Sequence, residues 1–269
     1  MHSPAVLDKN KSAYKLANFG PVYYLNMDAD ENRKGYMEEQ FAHWGVTNYE
    51  RVSAYDGRDD DLSDILKGRY PDMMSSGEVG CITSHLKAIK HWYDTSDSPY
   101  AIIMEDDCNL DTVHFWNFSW SDFVAHLPYD WDVVQVAIIQ TGDVHIKLHR
   151  RFVNDFSTAC YMITRHHAEK LIKHHVKGPD KYRLDNGVKP RPVADDLIYN
   201  SGNTYSIPLL LYRLQLGSSI HPEHVDAFHK VNHDGIMNWW TQMGASMDVK
   251  TLTDFDPYLG KVSDPSQPQ

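Results

Sequence analysis

The chain has 269 residues, 42% hydrophobic and 12% aromatic, with 26 Lys and Arg against 37 Asp and Glu. This apolar content suffices for a packed core and excludes global disorder. The formal net charge of −11 argues against a nucleic-acid backbone or an anionic membrane surface as the main partner.

Taken in chain order, the opening stretch, MHSPAVLDKNKSAYKL, lacks the apolar core of a secretory signal. Residues 1–20 read as an N-terminal arm, 21–258 as one α/β domain, and 259–269 as a polar tail. PVYYLNM (21–27) predicts a short buried strand. DENRKGYMEEQFAHWG (30–45) predicts a helix, since Met37, Phe41 and Trp44 recur on one face and Gly45 provides a stop. NYERVSAYDG (48–57) reads as a second strand ending in an Asp-Gly turn, and 59–76 as a polar loop. GEVGCITSHLKAIKHWY (77–93) is helical by pattern, with Val79, Ile82, Leu86 and Ile89 along one face.

YAIIM (100–104) is the next strand, followed directly by Glu105, Asp106 and Asp107. DVVQVAII (132–139) and FSTACYMIT (156–164) read as strands, and RHHAEKLIKHH (165–175) as a helix whose paired histidines, His166/His167 and His174/His175, face solvent. Residues 177–203 read as a long loop with a short helix near 195–199. The alternation predicts a mostly parallel sheet with helices on its faces, and in such sheets ligands bind at the carboxyl ends of the strands. No run of about 18 apolar residues predicts a transmembrane helix. Cys81, Cys108 and Cys160 are odd in number and widely spaced; they form no metal-binding pair by spacing and suggest a reducing, cytoplasmic setting.

Three adjacent carboxylates at a buried strand end disfavour one another's ionisation unless water, a basic group or a cation relieves them. Residues i and i+2 point the same way at a strand end, so Glu105 and Asp107 can share one cation while Asp106 points elsewhere. Oxygen ligands suit a hard divalent cation, Mn²⁺ or Mg²⁺; the competing reading is a solvated acidic turn. Gly77 and Gly80 relax a helix start that favours anions, with Ser84 and His85 about two turns in. Against this, Glu78 can simply cap the helix and His85 can be structural. Asp195 and Asp196 supply either a general base on a mobile segment or an N-cap with an acidic first turn. Of 16 histidines, His221 is the one nominated as a late metal ligand. Trp239 and Trp240 read as core packing in preference to a sugar platform.

The order of these pieces resembles glycosyltransferase family 25. VYYLNMDADENRKGYMEEQF, YERVSAYDG, GEVGCITSHLKAIKHW, AIIMEDDCNL, STACYMITRHHAEKLI, PVADDLIY and LQLGSSI match its motifs in sequence. The resemblance implies a GT-A-type, Rossmann-like α/β fold, a UDP-hexose donor and a glycan or glycoprotein acceptor. It also implies inversion at the anomeric carbon and a divalent metal, Mn²⁺ first and Mg²⁺ as the alternative. On that pattern Glu105 and Asp107 hold the metal; Asn26, Arg33 and Asp106 serve the nucleotide and its phosphates. Ser84 and His85 line the donor site, and Thr158 and Ala159 border the sugar. Asp195 or Asp196 is the base, ADDL offering two where the pattern has one. Met27 and Met104 stand where Leu is usual and Cys108 where Val is common. The missing signal peptide suggests a microbial or viral enzyme instead of a secretory one. The alternatives are an inactive nucleotide-sugar-binding relative and a metal-dependent phosphohydrolase, which needs more convergent ligands than these residues offer.

Overall fold

In the computed structural model, which describes residues 12–58, 61–140, 144–185, 191–214 and 229–255, the chain builds one mixed sheet covered by helices on both faces. Its strands are β1 (Val22–Met27), β2 (Tyr49–Ala54), β3 (Tyr100–Glu105), β4 (Cys108–Asn109), β5 (Val133–Gln140), β6 (His149–Arg150), β7 (Asp155–Thr164) and β8 (Thr204–Tyr212). The helices are α1 (Ser12–Lys15), α2 (Glu31–Trp44), α3 (Ser76–Thr95), α4 (Trp120–Ala125), α5 (Arg165–His175), α6 (Ala194–Tyr199), α7 (Lys230–Met243) and α8 (Val249–Thr253).

Strand order is β2-β1-β3-β7-β5-β8-β4, with β6 also paired to β8. β1, β2, β3, β5 and β8 run one way, so the sheet is mostly parallel. β7 lies antiparallel between β3 and β5. Parallel neighbours need a long crossover, usually a helix; α2 and α3 provide it after β1 and β2. No helix separates β5 from β7 among the described residues, and that return is antiparallel.

The pleat sorts each strand between two cores. Val22 and Tyr24 of β1 and Ile102 and Met104 of β3 face one, closed by Met37 and Phe41 of α2 and Trp240 of α7. Tyr23, Leu25, Ala101 and Ile103 face the other, closed by α3, α5 and α6. The helix limits have local causes. Asp30 caps α2 by accepting from the Arg33 amide, and Gly45 ends it at φ 65°, a left-handed conformation that suits glycine. Ser75 and Glu78 form a capping box at the start of α3.

The described part of the N-terminal stretch is anchored. Leu16 and Phe19 enter the core, and Lys15 Nζ donates to the carbonyls of Val113 and His114 at 3.1 and 2.7 Å. The solvent-facing expectation for the paired histidines fails for His167 and His175, both buried. His167 Nε2 lies 3.0 Å from the Ile198 carbonyl and His175 Nδ1 2.9 Å from that of Arg183, because α6 and the segment after α5 cover the helix flank. Trp240 is core, its Nε1 donating to the Pro208 carbonyl at 2.9 Å. Among the described residues no helix is long and apolar enough to cross a membrane.

Candidate active site at the tip of β3

β1, β2 and β3 end at one edge of the sheet, where a pocket of about 140 Å³ opens between β1, the β2–α3 loop, α3 and the acidic triplet. Two glycines let the loop cross the helix. A Cβ on Gly57 would fall 1.8 Å from the Ser76 carbonyl, and one on Gly80 would fall 2.9 Å from that of Tyr55. Ser84 completes the crossing: its Oγ donates to the Gly80 carbonyl at 2.6 Å and accepts from the Tyr55 amide at 2.8 Å. Ser84 lines the pocket, yet its hydroxyl is already engaged.

The three carboxylates have separate surroundings. Glu105 Oε1 accepts from Thr158 Oγ1 at 2.6 Å and lies 3.2 Å from Nε2 of the fully buried His85. Burial opposes its ionisation, but the hydrogen bond and charge of His85, with Thr158 and Arg33, outweigh it and hold the carboxyl below its ordinary value. Asp106 is turned to Asn26 Nδ2 (2.8 Å) and Arg33 Nε (2.7 Å); burial nonetheless raises its pKa. Asn26 and Arg33 therefore stand at the pocket with side chains tied to protein carboxylates. Arg33 also reaches Asp107 Oδ2 at 3.2 Å. Asp107 Oδ1 is buried and finds no hydrogen-bond partner among the described residues. Burial, together with the Glu105 charge, pushes this carboxyl up to about 7.

α6 brings the second acidic pair, and the fold treats its members differently. Val193 is the N-cap and makes no side-chain cap bond, so neither aspartate caps the helix; both lie in its first turn. Asp196 Oδ1 accepts from Asn200 Nδ2 at 3.1 Å. Asp195 Oδ1 is buried without a partner among the described residues. Burial pushes its pKa up to about 6 against the pull of Arg151, with Glu105 adding to the rise and His85 opposing it. Asp195 thus shares the electrostatic field of the β3 tip.

Thr158 and Ala159 follow Ser157, whose φ of 92° is unusual for a side-chain-bearing residue. Gln135 Nε2 and the Tyr199 hydroxyl hold its carbonyl at 2.8 and 2.9 Å. Thr158 reaches Glu105, whereas Ala159 is buried beside the chain turn. His221 lies outside the described residues. By spacing, Cys81 forms no metal-binding pair with the other cysteines and is set aside on that ground, and Tyr161 is not singled out. The Cys81 sulfur, a His85 ring nitrogen and a Glu105 oxygen lie within 4.8 Å of one another; among the described residues the acidic triplet forms no such group. The spacing of Cys81 and His85, one helical turn, was the available signal.

The family described as "Glycosyltransferase family 25 (LPS biosynthesis protein)" matches residues 19–186, well over half of the chain. The chain belongs to glycosyltransferase family 25. The family match spans β1 to the segment after α5, including the pocket and the acidic triplet, and ends before α6. Membership gives a glycosyltransferase, with a sugar donor and an acceptor. No curated protein matches by sequence. Among solved structures, A197 from STIV is 11% identical, with 70% of this chain and 82% of that one covered at a TM-score of 0.36. HddC from Yersinia pseudotuberculosis complexed with GMP-PN is 11% identical, covering 78% and 98% at 0.35. The nucleoside-diphosphate-sugar pyrophosphorylase from Vibrio cholerae RC9 is 11% identical, covering 77% and 78% at 0.35.

Proposed function

We propose that this family 25 member transfers a hexose, galactose or glucose, from a UDP-sugar to a hydroxyl of a glycan or glycoprotein, with inversion. The observation that carries the reading is the buried Oδ1 of Asp107, without a hydrogen-bond partner among the described residues, beside Glu105 in the pocket. A buried carboxylate oxygen calls for a proton or a cation. The contacts of Glu105 with His85 and Thr158 both fall on Oε1, which leaves Oε2 as the oxygen a cation would meet. This oxygen donor set fits Mn²⁺ or Mg²⁺. Bound there, such an ion would offset the charge of the departing diphosphate.

The protein's own groups account for the remaining work. Arg33 and Asn26 fix Asp106, and Arg33 holds one oxygen of Asp107, so the acidic tip keeps its shape as charge changes nearby. Asp195 is the proposed base: it takes the proton of the acceptor hydroxyl as the acceptor oxygen bonds to the anomeric carbon and the bond to the diphosphate breaks. Asp196, turned to Asn200, is not assigned that role.

The test is UDP release and sugar transfer from UDP-galactose and UDP-glucose, with Mn²⁺ or chelator, across a panel of acceptors. The reading expects chelator-sensitive transfer, lost in Asp107→Ala. Activity indifferent to chelator and retained in Asp107→Ala would refute the metal role; release of sugar phosphate in place of transfer would refute the reaction class.

A further inference from the structure

The pocket contains a second donor set that differs in chemistry from the Asp107 position. Cys81 and His85 sit one turn apart on α3, so their side chains project side by side. Glu105 meets them from the end of β3, and the three ligand atoms lie within 4.8 Å of one another. All three residues line the pocket, which gives an entry path. Each of two ligands has an orienting hydroxyl behind it. The Tyr161 hydroxyl lies 3.0 Å from His85 Nδ1, and Thr158 Oγ1 holds Glu105 Oε1 at 2.6 Å. A metal-binding histidine usually gives its other N–H to such a partner, which turns the remaining nitrogen lone pair to the ion.

We propose that Cys81, His85 and Glu105 form a chelating site for a borderline-soft divalent cation of the zinc class, distinct from the oxygen-donor position at Asp107. Thiol and imidazole donors select such a cation over Mg²⁺ or Mn²⁺. A tetrahedral ion with bonds of roughly 2.0 Å to nitrogen and oxygen and 2.3 Å to sulfur spaces its ligand atoms by about 3.3–3.6 Å. His85 Nε2 and Glu105 Oε1, at 3.2 Å, stand just inside that spacing and need only a slight opening to meet it. Binding replaces the His85–Glu105 hydrogen bond with two metal bonds: the Nε2 proton of that hydrogen bond leaves to solvent, the ring carries its proton on Nδ1 toward the Tyr161 hydroxyl, and the Cys81 sulfur joins the metal as its thiol proton leaves to solvent. Three protein ligands leave a fourth position for water on the pocket side. The site follows from the convergence of its ligands and stands whether or not the transferase reading holds.

The test is titration of the chelator-stripped, full-length protein with Co²⁺, followed by displacement with Zn²⁺. The proposal expects one equivalent to produce a thiolate-to-cobalt charge-transfer band and tetrahedral visible bands, both erased by Zn²⁺. Cys81→Ser abolishes the charge-transfer band, whereas Cys108→Ser and Cys160→Ser keep it. Tyr161→Phe retains every ligand and the packing volume and weakens Co²⁺ about tenfold. Asp107→Asn keeps the bands even if Mn²⁺-dependent UDP binding is lost, so the two metal readings fail separately. A wild-type protein without the charge-transfer band, a band that survives Cys81→Ser, or an unchanged Co²⁺ affinity in Tyr161→Phe would overturn the assignment.

Discussion

Asp195 combines a buried oxygen that has no hydrogen-bond partner among the described residues with a carboxyl pushed up to about 6, and each property has a consequence. As a base it works only when ionised. At saturating cation, turnover is therefore expected to fall with decreasing pH through about 6 and to be level above it. Asp195→Asn should lower kcat by roughly 10²–10⁴-fold and remove that acid limb, while Asp196→Asn stays within a few-fold; equal losses in both variants would contradict the assignment. Stability should move the other way. The folded carboxyl titrates above its ordinary 3.8, so the folded state holds more protons between that value and about 6. Stability from this group is accordingly present at low pH and lost as pH rises through about 6. Asp195→Asn is expected to raise urea stability at pH 7.5 by up to about 3 kcal/mol, with the gain vanishing near pH 4. At this scale the sequence showed which carboxylates to watch but not how they differ. ADDL presents two equivalent candidates; the fold distinguishes them by turning Asp196 to Asn200 and burying Asp195 Oδ1 within the electrostatic reach of Glu105 and His85.

The elements divide by whether their signal is local. α2, α3 and α5 were legible because periodicity, caps and stop residues lie within each segment. The antiparallel course of β7 was not, since direction depends on what fills the connection. β8 carries Pro208, a residue that argues against a central strand; it sits where the pairing with β5 shifts register between Ser206 and Leu210. α7 mixes polar and apolar residues on most faces, and only Asn232, Ile236 and Trp240 are buried. The loop crossing over α3 yields a paired prediction. Gly57→Ala should destabilise by at least about 1–3 kcal/mol because the new Cβ meets backbone. Gly35→Ala, in α2 with nothing within 4 Å of the added Cβ, should stabilise by about 0.5–1 kcal/mol. Denaturant melts of both variants check this, and equal effects would contradict the close crossing. α5 adds an acid-sensitive feature. Burial lowers the pKa of His167 and His175 below 6.5, so their contribution is intact above that pH and is lost as pH falls through it. His167→Gln should flatten the stability profile between pH 7 and 5.

Over the whole molecule, the sheet separates two cores, and the pocket opens at the ends of β1, β2 and β3. The pocket forms there because the crossover loops, not the strands, close those ends. Its position was readable from the alternation of strands and helices. Its inner architecture was not: Arg33 spanning Asp106 and Asp107, and Cys81 meeting Glu105, join residues far apart in the chain. The proposed transfer chemistry rests on Asp107 meeting a cation that also meets the donor's diphosphate. Calorimetric titration of UDP into the protein, with and without Mn²⁺, in wild type and Asp107→Asn, tests this most directly. The account predicts at least tenfold tighter UDP binding with Mn²⁺ in wild type and no Mn²⁺ effect in Asp107→Asn. Equal UDP affinity with and without Mn²⁺ in wild type, or an undiminished Mn²⁺ effect in the variant, would contradict it.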